Sequence, residues 1–229
     1  MKTLPTLFLL LLLSALAAPS RAARPMVTDD PRLTDAGACQ MEPWGQAHHN
    51  TREFWVLPAC NPGGNFEFSL GGALAYSDGQ KQHSAKLVQG KTLFKPLTSN
   101  GWGAGLAAGY VTPPGSEHAG SPYFYVPLSV SLADDQLVIH TNLGSLRDRE
   151  TRKNQLTWGV GGELQMTERV YVIAETYGQD KGHVFFQTGL RYWLLPDHIQ
   201  IDTTYGSRFG EIQAERWISI GLRLITPSF

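Results

Sequence analysis

The chain has 229 residues, with 19 lysines and arginines against 20 aspartates and glutamates and a formal net charge of −1. That balance, with basic residues scattered along the chain, excludes a nucleic-acid footprint. Past residue 22 no apolar stretch approaches the roughly 20 residues of a helical span, so any membrane insertion must use strands, the other arrangement that satisfies every backbone group in lipid.

Residues 1–22 read as a secretory signal. Lys2 supplies the positive start, "LFLLLLLSALAA" the apolar run, and "SRA" the small residues expected before cleavage. Residues 23–37 carry no period and are expected as an N-terminal segment in the periplasm. The rest, 38–229, is expected as one β domain. Cys39 and Cys60 are the only cysteines, and in an exported chain they predict one disulfide.

From residue 38 onward the recurring unit is a stretch of about ten residues with period-2 alternation, bounded by turn residues. Twelve are predicted: 38–45, 51–59, 65–76, 84–95, 102–112, 122–132, 137–146, 155–166, 169–178, 183–194, 198–206 and 215–225. Short links ("NPGG", "PLTSNG", "ADDQ", "MTER", "LPDH") follow every second stretch. Most of the intervening links are longer, such as "TPPGSEHAGSP" and "LRDRETRKN". Links sorted by length onto two ends are the mark of an outer-membrane barrel with both termini in the periplasm.

The two faces of each stretch differ. In 155–166, Leu156, Trp158, Val160, Leu164 and Met166 share one parity, against Thr157, Gly159, Gly161, Glu163 and Gln165. In 65–76, Phe66, Phe68, Leu70, Leu74 and Tyr76 oppose Glu67, Ser69, Gly71, Ala73 and Ala75. A lipid-facing Arg or Lys near the bilayer midplane costs about 2–4 kcal/mol, which explains a charge-free face. Aromatic residues collect near stretch ends in two groups. Trp44, Tyr110, Tyr123, Trp158, Tyr177, Tyr205 and Trp217 lie toward the outer side, and Trp102, Tyr171, Tyr192 and Trp193 toward the periplasm, as in interfacial girdles, although Trp193 and Trp217 have inward parity. The closing "WISIGLRLITPSF", ending in Phe229, resembles a barrel assembly signal, although the apolar parity does not run through to Phe229.

The pieces "RPMVTDDPRLTDAG", "NFEFSLGG", "AETYGQ" and "QTGLRYWLLPDHIQIDTTYG" are similar to those of the outer-membrane β-barrel transporters associated with the meta-pathway of phenol degradation. The resemblance spans most of the chain after the signal, and the cysteine pair departs from the pattern. It implies a barrel of twelve or so strands with a channel role.

No G-x-S-x-G elbow, H-E-x-x-H or glycine-rich phosphate loop is present, so no enzyme activity, metal site or cofactor is expected. The inward parity holds the informative groups: Glu67, His140, Asn142, Glu163, Glu175, Arg191, Asp202 and Arg223. Their signs alternate over the last strands, and opposite charges on neighbouring strands can pair. They would form either a selective constriction or a salt-bridged filling of the lumen. The expectation is an all-β, closed antiparallel meander barrel of about 12 strands in a Gram-negative outer membrane. It would meet lipid, lipopolysaccharide and the barrel-assembly machinery and pass small solutes. A structural or surface-interaction barrel with a plugged lumen is the first alternative, and a soluble exported β-sheet binding protein the second.

Overall fold

The structure is a computed structural model and describes residues 26–82, 84–112, 120–149, 151–210 and 215–227. The signal segment 1–22 and Phe229 lie outside the described residues. No helix among them is long and apolar enough to cross a membrane, which says nothing of strands.

Twelve long strands form one antiparallel wall: β1 (Ala38–Ala47), β2 (Thr51–Asn61), β3 (Glu67–Ser77), β5 (Ala85–Lys95), β6 (Trp102–Thr112), β7 (Ser121–Leu132), β8 (Leu137–Arg147), β9 (Asn154–Gln165), β10 (Val170–Gln179), β11 (Val184–Leu195), β12 (Ile199–Arg208) and β13 (Trp217–Ile225). A two-residue piece, β4 (Gln80–Lys81), folds back on the end of β3 in the loop before β5. Each long strand pairs with its neighbour in sequence, and β1 pairs with β13, so the sheet closes on itself. Closure removes both edges of the sheet, and the predicted strands match the observed ones to within a few residues.

The exterior is apolar. Phe54, Leu70, Leu143, Leu156, Ile218 and Ile220 are all exposed on it. Within the twelve long strands, outward-turned charged side chains are confined to Arg52, Lys86, Arg147 and Lys95, the last brought out by the register shift after Leu93. Each stands at or next to a strand end, where the cost of a charge on the lipid face fades. Lys95 lies over the Trp102 ring at 4.3 Å. This distribution leaves a lipid-matched band around the middle and does not fit the soluble β-sheet alternative. Trp102, Tyr110, Tyr192 and Tyr205 are exposed on the outside and fit the girdles. Trp44, Tyr123, Tyr171 and Tyr177 do not, because they share parity with the inward residues, as do Trp193 and Trp217, whose inward parity was expected. Trp44 stacks on Trp55 at 5.4 Å, and both join Leu57, Leu87, Val111 and Leu146 in an interior apolar cluster.

Cys39 and Cys60 are direct cross-strand partners in the β1–β2 hairpin and form the disulfide. Both have outward parity, at the end of the barrel that carries the short turns. Prolines interrupt the ladders on either side of this hairpin. The β1–β13 register skips Glu42 and Pro43, and the β2–β3 register skips Leu57 and Pro58, since proline has no N–H to donate. The bond therefore fastens a hairpin whose outer seams are locally open. It closes a loop of 21 residues, and replacing both cysteines by serine is expected to lower stability by about 3 kcal/mol in the chain-entropy account. Urea titration of the heat-modifiable folded form checks this. An unchanged midpoint would assign the bond no stabilising role.

Candidate functional site: a bore crossed by the N-terminal segment

All eight predicted interior residues have inward parity. Glu67, His140, Asn142, Glu163, Glu175, Arg191 and Asp202 are buried, and Arg223 is largely so. The structure sorts them into groups that strand adjacency does not foretell. Arg191 Nη1 donates to Glu163 Oε2 at 2.6 Å, reaching from β11 past β10 to β9. The other Glu163 oxygen lies 3.3 Å from His140 Nε2, and His140 Nδ1 meets the Ser129 hydroxyl at 2.6 Å. Asp202 is the cross-strand partner of Arg191. Arg223 turns away from this group and toward β1, where its Nε lies 3.4 Å from Glu42 Oε1 and donates to Gln40 Oε1 at 2.8 Å.

Glu67, Asn142 and Glu175 do something else. They hold residues 26–37, which form no strand or helix and run inside the barrel. The sequence reading placed this segment in the periplasm, before the wall begins. It turns inward instead because its polar groups find partners on the inner wall. At the short-turn end, Glu67 Oε2 accepts from the Thr34 N–H at 2.8 Å and the Thr34 hydroxyl at 2.5 Å. The Asn61 amide donates to the Thr34 carbonyl at 2.7 Å. Further in, the Asp29 carboxylate receives Lys91 Nζ at 3.1 Å on each oxygen and the Tyr125 hydroxyl at 2.7 Å. With its amide nitrogen turned toward the Asp29 carbonyl, Asn142 donates there at 2.9 Å and accepts from the Asp29 N–H at 2.7 Å. Across the bore on β10, the two Glu175 oxygens accept from the N–H groups of Val27 and Thr28 at 2.6 and 2.7 Å, and Gln187 also donates to Glu175. Anchors on β2, β3, β5, β7, β8 and β10 are possible for one short segment only if it crosses the enclosed space.

Space for the crossing comes from two glycines on the inner face of β9. A side-chain carbon at Gly159 would stand 2.5 Å from the Thr28 hydroxyl, and one at Gly161 would collide with the end of Met26. Gly159→Leu is therefore expected to expel the segment and leave the wall intact. Limited proteolysis should then cut within residues 26–37 while the heat-modifiable barrel persists. Equal protease resistance in both proteins would show that the segment is not held there.

Lys91, Tyr125, Asn61 and Glu42 were not among the predicted interior residues. The stretch 84–95 has a lysine on each parity, Lys86 and Lys91, so alternation alone does not say which faces in.

Solved structures of similar shape include porins and an outer membrane channel. The KdgM porin superposes with a TM-score of 0.61 at 10% identity, covering 81% of this chain and 98% of that one. The NanC porin superposes with a TM-score of 0.60 at 10% identity, covering 83% and 100%. The COG4313 outer membrane channel from Pseudomonas putida F1 gives 0.61 at 7% identity, covering 86% and 98%. At such identities the likeness speaks for the fold. No curated protein matches the sequence. Residues 9–225 match the family described as Uncharacterised conserved protein UCP029691, and since that match takes in nearly the whole chain, the protein belongs to this family.

Proposed function

We propose that the protein is an outer-membrane channel for the passive passage of small solutes, with a bore narrowed by its own N-terminal segment. The observation that carries this reading is the combination of a closed wall, apolar outside, with ionised side chains gathered inside. Burying charge costs several kcal/mol per ion even after relaxation, and a barrel needed only as a scaffold could fill its interior with apolar groups. Twelve strands enclose more space than the side-chain-filled eight-stranded barrels and less than the open porins of sixteen or more.

In this reading residues 1–22 are a signal removed on export, residues 38–229 are the barrel, and the barrel-assembly machinery inserts it. Mixed-charge loops such as 147–154 then face lipopolysaccharide. Glu163, Arg191, Asp202, Glu42 and Arg223 line the bore and set which solutes pass. A transport role of this kind agrees with the resemblance to the transporters associated with phenol degradation, and no catalytic role is assigned to Ser129, His140 and Glu163. Their contact is closed off beneath the segment and serves to hold the carboxylate.

Purified protein in planar bilayers is expected to show discrete conductance steps. Their absence in correctly folded protein would overturn the channel reading. It would favour a structural barrel with a filled lumen, the second reading, which the internal ion pairs and the crossing segment support.

A further inference from the structure

The place occupied by the Asp29 carboxylate is built mainly by the wall, with the Asp30 N–H as the segment's own contribution. Lys91 on β5 and Tyr125 on β7 converge on that carboxylate, while Asn142 on β8 holds the Asp29 backbone N–H and carbonyl. Lys91 is 4% exposed and Tyr125 1% exposed, so both polar ends are withdrawn from solvent. The Lys91 ammonium is equidistant from the two Asp29 oxygens, while the Tyr125 hydroxyl donates to one of them and the Asp30 N–H to the other. Gln89 steadies the tyrosines, accepting from Tyr123 at 2.9 Å and Tyr125 at 3.2 Å. None of these wall groups is required for strand pairing, which the backbone ladders complete. A buried cation and a buried hydroxyl aimed at one point are the elements of an anion site with two-oxygen geometry.

We propose that Lys91 and Tyr125 form a carboxylate-binding site in the bore, that Asp29 occupies it as a tethered stand-in, and that small carboxylates compete with Asp29 for it. The proposal rests on the channel reading for its use, and deepens it by naming a solute class. Asp29 belongs to a stretch with no secondary structure, and its carboxylate is joined to the wall by the Lys91 and Tyr125 contacts, which an incoming carboxylate can replace. Lys91 has a second carboxylate near, its cross-strand partner Glu67. That group is already engaged by the Thr34 amide and hydroxyl, which leaves the Asp29 position as the one open to exchange.

The test is chemical rescue of full-length Asp29→Ala in detergent, read as the temperature at which the heat-modifiable band is lost. Sodium acetate is compared with sodium chloride at equal ionic strength, and with acetamide. Acetate is expected to raise the midpoint of Asp29→Ala by several degrees over chloride, and acetamide to leave it unchanged. The wild type, whose site is filled, should respond less. In Asp29→Ala/Lys91→Met the acetate effect should vanish. Equal effects of acetate and chloride, or an acetate effect that survives loss of Lys91, would overturn the site. If Asp29→Ala does not fold in chloride, refolding yield in acetate against chloride becomes the readout, with the same two outcomes. None of these measurements needs conduction. A silent bilayer recording therefore removes the channel reading without touching the site, and a conducting barrel without the acetate response removes the site alone.

Discussion

Deleting residues 26–33 is expected to raise the unit conductance several-fold while the barrel continues to fold. The segment contributes no strand to the wall, and its removal leaves every ladder from β1 to β13 complete. What residues 26–33 do contribute is bulk and contacts across the enclosed space, from Lys91, Tyr125 and Asn142 on one side to Glu175 on the other. Water replaces it on deletion, and the wall groups it had covered, Lys91 and Glu175 above all, regain hydration in place of their contacts with Asp29, Val27 and Thr28. Stability should therefore fall modestly, while the ion path widens at its narrowest level, where conduction is most sensitive to cross-section. Single-channel recording of both proteins at the same salt concentration decides. Equal conductance would place the ion path elsewhere or show that the segment leaves the bore in the membrane.

The second large effect concerns stability. Arg191→Ala should destabilise the barrel by up to about 3–5 kcal/mol, the cost of stranding one member of a buried ion pair. It removes the 2.6 Å contact to Glu163 and leaves that carboxylate with His140 as its neighbour. Water entering the bore would soften the loss, so this figure is an upper bound. Arg152→Ala is the control. Arg152 is exposed in the loop between β8 and β9, where charge interactions are worth about 0–1 kcal/mol. The double change Glu163→Gln/Arg191→Met, which removes both charges, should recover much of the loss. Urea midpoints measure all three, and equal midpoints for Arg191→Ala and Arg152→Ala would contradict a buried, paired Arg191.

The wall was legible in the sequence because a barrel strand writes its structure locally. Alternation fixes which face each residue takes, and turn residues mark the ends. That sufficed to assign the inward parity of Glu163, Arg191 and Asp202, and to bring Cys39 opposite Cys60. Pairing inside the bore was less accessible. Arg191 bonds Glu163 two strands away because a long side chain leans along the interior surface, and period-2 reasoning does not encode that reach. Aromatic residues near strand ends misled for a related reason. Trp44 and Tyr177 stand at the right level for a girdle, but their parity turns them to the interior. The crossing segment was the largest omission. "MVTDDPRLTDAG" has no period, and each of its anchors is distant in sequence, with Asp29 meeting Lys91 and Thr28 meeting Glu175. Only the assembled wall shows that its carboxylate and amides have complementary partners.

Because residues 26–37 continue directly into β1, the occupant of the bore can never diffuse away. A ligand held on a short flexible tether acts at an effective concentration on the order of millimolar. A free solute that uses the same contacts gains no net advantage until its own concentration approaches that value. The tether thus sets a threshold. On the channel reading, scarce carboxylates would find the path taken, and abundant ones would displace the resident and pass. Lengthening the link between Asp29 and Thr34, which Glu67 and Asn61 hold, with glycine and serine should lower the threshold gradually by diluting the occupant.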